Sequence, residues 1–247
     1  MSGPLDGKVA FVAGASRGIG KAIAVALADA GAAVVVAARS EQEGKLPGTI
    51  HSVADEITKA GGRALAVPCD VTSEESVEAA VATAAEAFDG IDILIANAGA
   101  LGLTPVEHTP LKRWKLVLDV NLTGVFLVTK AVIPHVRKRG GGSLVAITTT
   151  GVGMIDKGAN AYWVSKAAVE RLYLGLASEL KPANIAVNCL APTKIVLTEG
   201  WSTVGDTRQI PADKVEAPEV MGQAALRLAT QDATGITGTI QYSADLA

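Results

Sequence analysis

Composition offers few openings for special chemistry. The chain has two cysteines, Cys69 and Cys189, too few for a disulfide framework, and they read as free core thiols. Its three histidines, His51, His108 and His135, fall in unrelated segments, so no metal site is expected. Charge of one sign is scarce as well: 22 Lys and Arg against 25 Asp and Glu leave −3, which gives no reason to expect nucleic acid or an anionic membrane as a partner. No unbroken apolar run reaches the ~18 residues a membrane span requires. Met1 to Lys8 lacks the basic-then-apolar pattern of a secretory signal. These absences set the expectation of a cytoplasmic protein.

What is present is a core. With 247 residues, 49% of them hydrophobic, the chain can fill one large domain, and the absence of linkers, repeats or low-complexity tracts sets the expected count at one, 1–247. Short apolar runs alternate with longer helical patterns. Strands are expected at Lys8–Ala13, Ala33–Ala38, Arg63–Val67, Ile91–Ala96, Ser143–Thr148, Ile185–Leu190 and Gly238–Ser243. Helices are expected at Gly18–Ala30, which Gly31 stops, and at Ile50–Ala60, with Thr49 as its N-cap. Another, opened by a Thr72–Glu75 capping box, should end near Phe88. A long helix should begin at Pro110 and run to about Arg139, kinked or shortened by Pro134, and a further one should span Asn160–Leu180. Near-continuous apolar strands, each followed by a crossover helix, predict a parallel sheet covered on both faces. Pro192 to Glu216 has the least pattern and reads as a functional loop.

Two motifs carry chemistry. Between the first strand and its helix lies Gly14, Ala15, Ser16, Arg17, Gly18, Ile19 and Gly20. Glycines there permit a tight turn and close backbone approach, and the helix N-terminus offers free N–H groups to a pyrophosphate. The second strand ends Ala37-Ala38-Arg39-Ser40, with no carboxylate to bind a ribose diol. Arg17 and Arg39 would instead suit a 2′-phosphate, favouring NADP(H) over NAD(H). Solvated surface arginines are the plainer reading of the same pair. The second motif is Tyr162-Trp-Val-Ser-Lys166. A tyrosine and a lysine four apart share a helix face. A cation beside the phenol favours its ionised form, so the pair can exchange a proton with an alcohol or ketone.

The ordered set Gly14–Gly20, Asp70-Val71, Asn97-Ala98-Gly99, Asn121, Tyr162-x-x-x-Lys166 and Pro192 resembles the short-chain dehydrogenases/reductases over nearly the whole length. The longer connection Glu41–Ile50 is similar to the hydroxysteroid dehydrogenase-like branch and to proteins grouped as oxoacyl reductases. The resemblance implies an α/β Rossmann fold with a doubly wound, seven-stranded parallel sheet. It implies that Asp70 contacts the adenine ring, that Val71, Ala98, Gly99 and Pro192 line the cofactor, and that Asn97 supports the central strand beneath it. Lys166 would hold the nicotinamide ribose, and Asn121 would relay protons from Lys166 through water. A homotetramer or homodimer built on the two long helices is implied too.

Three positions depart from the family pattern. Thr149 stands where the catalytic serine is expected; it keeps the hydroxyl but adds a methyl. Thr193 replaces the glycine after Pro192, and Ser243–Ala247 lacks the usual glycine pair. The expected activity is NADP(H)-dependent interconversion of a carbonyl and a secondary alcohol, with Asn121, Thr149, Tyr162 and Lys166 as the catalytic set. The alternative is a catalytically inactive NADP(H)-binding regulator or structural protein. Met154, Ile155, Trp163, Ile195, Val196, Leu197 and Trp201 are candidates for an apolar substrate pocket, and Lys157 and Lys194 for contacts to an acidic carrier or a CoA phosphate.

Overall fold

The structure is a computed structural model that describes residues 3–153, 158–200 and 210–246. Its apolar runs become strands β1 (Val9–Ala13), β2 (Ala33–Ala38), β3 (Arg63–Pro68), β4 (Ile93–Ala96), β5 (Gly142–Ile147) and β6 (Ile185–Ala191). A two-residue pair follows, β7 (Ile195–Val196) and β8 (Val215–Glu216), and then β9 (Thr239–Tyr242). Seven strands form one sheet in the order β3-β2-β1-β4-β5-β6-β9, every pair parallel. Strand order reverses between β1 and β4, and ligands of open α/β sheets bind outside the strand C-termini at such a point.

Side chains alternate across the strands, so two apolar layers form. Val9, Phe11 and Ala13 face α3 (Glu74–Phe88), α5 (Gly124–Lys138) and α6 (Asn160–Leu180). Ala10 and Val12 face α1 (Gly18–Asp29), α2 (Ile50–Lys59) and α7 (Pro218–Ala229). The expected doubly wound Rossmann architecture is present. α8 (Ser243–Leu246) follows β9 and packs against α7.

Several local expectations change. Thr49 does cap α2, reciprocally with Ser52. The cap of α3 is Ser73 and not Thr72, because Thr72 donates both its N–H and its hydroxyl to Asp70. The long helix is not one α-helix. α4 (Leu111–Leu118), with Pro110 just outside it, passes through a π-helical turn, Asp119–Thr123, into α5. The wider turn aims Asn121, fully buried, back at the loop after β4. Pro134 lies inside α5 without ending it. Pro134 and Lys130 both face solvent, so water can satisfy the carbonyl that proline leaves without a donor. The whole run, 111–138, is long and apolar enough to cross a membrane by length and composition, yet half of its most apolar window is buried inside the fold, as in a core helix. The stretch Pro192–Glu216 is less formless than its sequence, since β7 and β8 pair in parallel.

At the N-terminal edge of the sheet Asp92 is fully buried. Its carboxylate accepts from Lys8 Nζ at 3.2 Å, Arg139 Nε at 3.2 Å and Val9 N at 3.0 Å. Three chain segments are pinned there, at the end opposite the glycine turn.

Candidate active site

The glycine turn sits at the strand-order reversal because β1 and β4 end together, Ala13 beside Ala96. Gly14 has φ +83°, and a Cβ on it would stand 2.7 Å from the Ala98 backbone. A Cβ on Gly20 would stand 2.1 Å from Gly14 O. Neither position admits a side chain, and Asn97 Nδ2 braces the turn from beneath by donating to Gly14 O at 2.8 Å. Arg17 does not cap α1 with its own side chain, and the helix N-terminus behind it favours an anion. These features fit a dinucleotide pyrophosphate. Ser16 is buried, Ile19 packs half-buried against the α1–α2–α7 layer, and Gly18 has φ +56°. A Cβ on Gly18 would lie 2.8 Å from Thr198 Cγ2, so Thr198 covers the turn. Sequence reasoning missed Thr198, because nothing in an unpatterned loop indicates where it returns.

The adenosine end shows a division of labour between the arginines. Arg17 donates to Pro47 O (2.9 Å), Gly48 O (2.8 Å) and Ser40 Oγ (3.1 Å). It fastens the 41–48 extension against the glycine turn, where a Cβ on Gly48 (φ +92°) would meet Ser16 O at 2.5 Å. Arg39 is exposed and makes no side-chain hydrogen bond or ion pair among the described residues. Burial pushes the Asp70 carboxyl up, but the two Thr72 hydrogen bonds and the Arg39 guanidinium prevail and hold it below its ordinary value. Val71 is buried next to it and packs against Gly124.

The catalytic candidates converge above β4 and β5. Tyr162 and Lys166 lie one turn apart on α6, with Lys166 Nζ 5.8 Å from the tyrosine ring centroid. Lys166 is 3% exposed, and its Nζ donates to Ile147 O at 2.7 Å. Burial pulls its pKa down to about 8, although Cys189 and Glu170 push it up. Tyr162 keeps a partly exposed surface, yet protein packs densely around its phenol, and burial pushes that pKa up to about 12. The expected lowering of the tyrosine pKa by Lys166 is therefore not realised in this arrangement. The ammonium is committed to a backbone carbonyl, and desolvation dominates. Thr149 is half-buried at the end of β5, and its Oγ1 accepts from Gly151 N at 3.2 Å.

Asn121 is occupied on every side. Its Oδ1 accepts from Ala100 N (2.7 Å), and its Nδ2 donates to Ala100 O (3.1 Å) and Ser165 Oγ (2.9 Å). Ser165 in turn donates to Tyr162 O at 2.6 Å. The asparagine thus ties the π-turn, the loop after β4 and the start of α6 into one unit. A Cβ on Gly99 would lie 3.6 Å from Asn121 Oδ1 and 4.0 Å from Lys166 Nζ, so Gly99 is the surface directly above both. The sequence signal for Ser165 was its place three residues after Tyr162 on the same helix.

The pocket candidates separate. Trp163 packs onto Gly151, Val196 is buried in the core, and Ile195 pairs with Val215 in the small sheet. Pro192 and Leu197 are half-buried and Lys194 is exposed. Met154, Ile155, Lys157 and Trp201 lie outside the described residues. No cluster of metal-ligating side chains occurs among the described residues.

Comparison with known proteins accords with this geometry. Residues 8–209 match the family model described as short chain dehydrogenase. Hydroxysteroid dehydrogenase-like protein 2 of Danio rerio is 38% identical over 248 residues, covering 99% of this chain; the chain spans 59% of that relative's length. A short-chain type dehydrogenase/reductase from Mycobacterium marinum superposes with TM-score 0.87 at 34% identity, covering 96% of this chain and 94% of that one. A 7 alpha-hydroxysteroid dehydrogenase complexed with NADH and 7-oxo glycochenodeoxycholic acid superposes with TM-score 0.84 at 32% identity, covering 96% and 93%. With a glycine turn at the strand-order reversal, a Tyr–Lys helix beside it and these matches along its length, the chain belongs to the short-chain dehydrogenase/reductase family of oxidoreductases, in its hydroxysteroid dehydrogenase-like branch.

Proposed function

We propose that the chain interconverts a carbonyl and a secondary alcohol with NADP(H), using Tyr162 as acid and base. The observation that carries this reading is the placement of Tyr162, partly exposed and one turn from a buried Lys166, beside Gly99 at the C-terminal ends of β4 and β5. The glycine turn, Asp70 and Gly99 would hold the cofactor, which supplies or accepts the hydride when bound. In reduction Tyr162 donates its proton to the substrate oxygen, and Thr149 Oγ1 donates a hydrogen bond to the same oxygen as charge develops there. Lys166 needs only to exchange the Ile147 carbonyl for the ribose and phenol to stabilise the phenolate that remains. Asn121 keeps α6 and the π-turn in register for that exchange.

For the cofactor's phosphate, exposed Arg39 is the available cation, with Arg17 shaping the adjoining wall. Oxidation of NADPH and NADH, followed by absorbance with ketones, 3-oxoacyl thioesters, quinones and steroid ketones, tests the reading. Tyr162→Phe should bind NADPH normally and lose turnover; normal turnover in that variant refutes the assignment. Thr149 in place of the expected serine and Thr193 in place of the glycine after Pro192 favour a second reading, a cofactor-binding protein without catalysis. Tight NADPH binding by calorimetry with silence across the panel would select it.

A further inference from the structure

Two departures from the family pattern, Thr193 and the glycine-free segment at Ser243, meet in space. β6 and β9 end side by side, Ala191 against Tyr242, so the residues just beyond them converge. Ser243 is fully buried. Its Oγ accepts from Thr193 N at 2.8 Å, donates to Glu216 Oε1 at 2.7 Å and shares a 3.1 Å hydrogen bond with Thr193 Oγ1. Glu216 Oε1 also accepts from Thr193 N at 3.1 Å, and Thr193 Oγ1 accepts from Ala244 N at 3.0 Å. Thr193 and Glu216 are the two feet of the loop that follows β6. Between them β7 pairs with β8, and the chain continues to Thr198 over the glycine turn.

We propose that Ser243 is a positioning residue for the substrate loop, clasping both of its feet through Thr193 and Glu216 so that β7 keeps its pairing with β8 and Thr198 is aimed over the glycine turn. A glycine at 193 would have no hydroxyl to join this cluster, and the Ser243 hydroxyl at the start of the glycine-free segment centres it. One hydroxyl serves three partners and no solvent reaches it, so its loss leaves Glu216 and Thr193 short of partners at once. The proposal rests on the reading of the site as a carbonyl reductase.

The test compares Ser243→Ala, Glu216→Ala and Glu216→Gln with the unaltered chain, all with NADPH present. Glutamine retains the Oε1 acceptor. Ser243→Ala and Glu216→Ala should raise KM for the best carbonyl substrate of the panel about tenfold, with kcat changed less than about threefold. NADPH affinity by calorimetry should change less than KM, because Asn97 and the β1–β2 backbone hold the glycine turn itself and Thr198 only covers it. Amide exchange over 194–200 should quicken in both, and Glu216→Gln should restore both readouts. A fall in Tm with unchanged KM and exchange would make the cluster merely structural and overturn the proposal. If the unaltered chain turns over no carbonyl, the functional reading fails, and exchange over 194–200 still decides whether Ser243 clasps the loop.

Discussion

Lys166 is a buried cation whose folded pKa, about 8, lies below its ordinary 10.5. Between those two pH values the unfolded chain binds more protons than the folded one. The cost of burying this charge is therefore full below pH 8 and fades as pH rises toward 10.5. Lys166→Met should abolish turnover yet raise Tm at pH 7 by about 2–6 °C, the lost bond to Ile147 O offsetting part of the gain. The difference between the two proteins should shrink by pH 10.5 in a series of thermal melts; a constant difference would contradict this account. The same group predicts that kcat/KM for carbonyl reduction declines above about pH 8, as the ammonium supporting the phenolate loses its proton. The thiols of Cys69 and Cys189 are pushed up by burial to about 11 and about 12, so neither should react with alkylating agents at neutral pH in the folded chain.

Among the elements, the 41–48 extension has the most to say about the cofactor. Arg17 holds it by two carbonyls and Ser40, and Gly48 lies where no Cβ fits. Gly48→Ala should loosen it and weaken binding of NADPH and NADH alike, by about three- to tenfold in calorimetry, whereas Arg39→Asp should shift the ratio of kcat/KM toward NADH. An unchanged ratio after Arg39→Asp would remove Arg39 from 2′-phosphate recognition. The helix and strand pattern was readable because apolar periodicity reports which face a residue must bury: Ala33–Ala38 and Asn160–Leu180 have the bounds their sequence predicts. Tyr162, Lys166 and the glycines were readable because their spacing carries the chemistry, and Asn97 only through the family resemblance. The partners of Arg17 were not, since two of the three are main-chain carbonyls of an irregular loop. The π-turn at Asp119–Thr123 was hidden too. It is one extra residue in an otherwise helical pattern, and only packing against Val71 and Ala100 calls for it.

At the scale of the molecule, large apolar side chains stand exposed on three helices among the described residues: Leu111, 66% exposed, and Leu116 on α4, Phe126 on α5 and Val164 on α6. If a second copy of the chain covers these residues, Phe126→Glu with Val164→Glu should yield monomers in light scattering. Asp92→Ala should cost about 2–4 kcal/mol of stability, because a buried carboxylate receiving three donors is lost, while leaving kcat unchanged. The same strand, β4, leads from Asp92 at one edge to Asn97 at the other, roughly 16 Å away at the usual rise per residue. Substitutions that far apart without shared neighbours change free energy additively. Stability and chemistry are thus inherited as separate traits: the sheet's lower edge can absorb drift or be strengthened while the upper edge is reshaped for a new substrate, and neither history constrains the other.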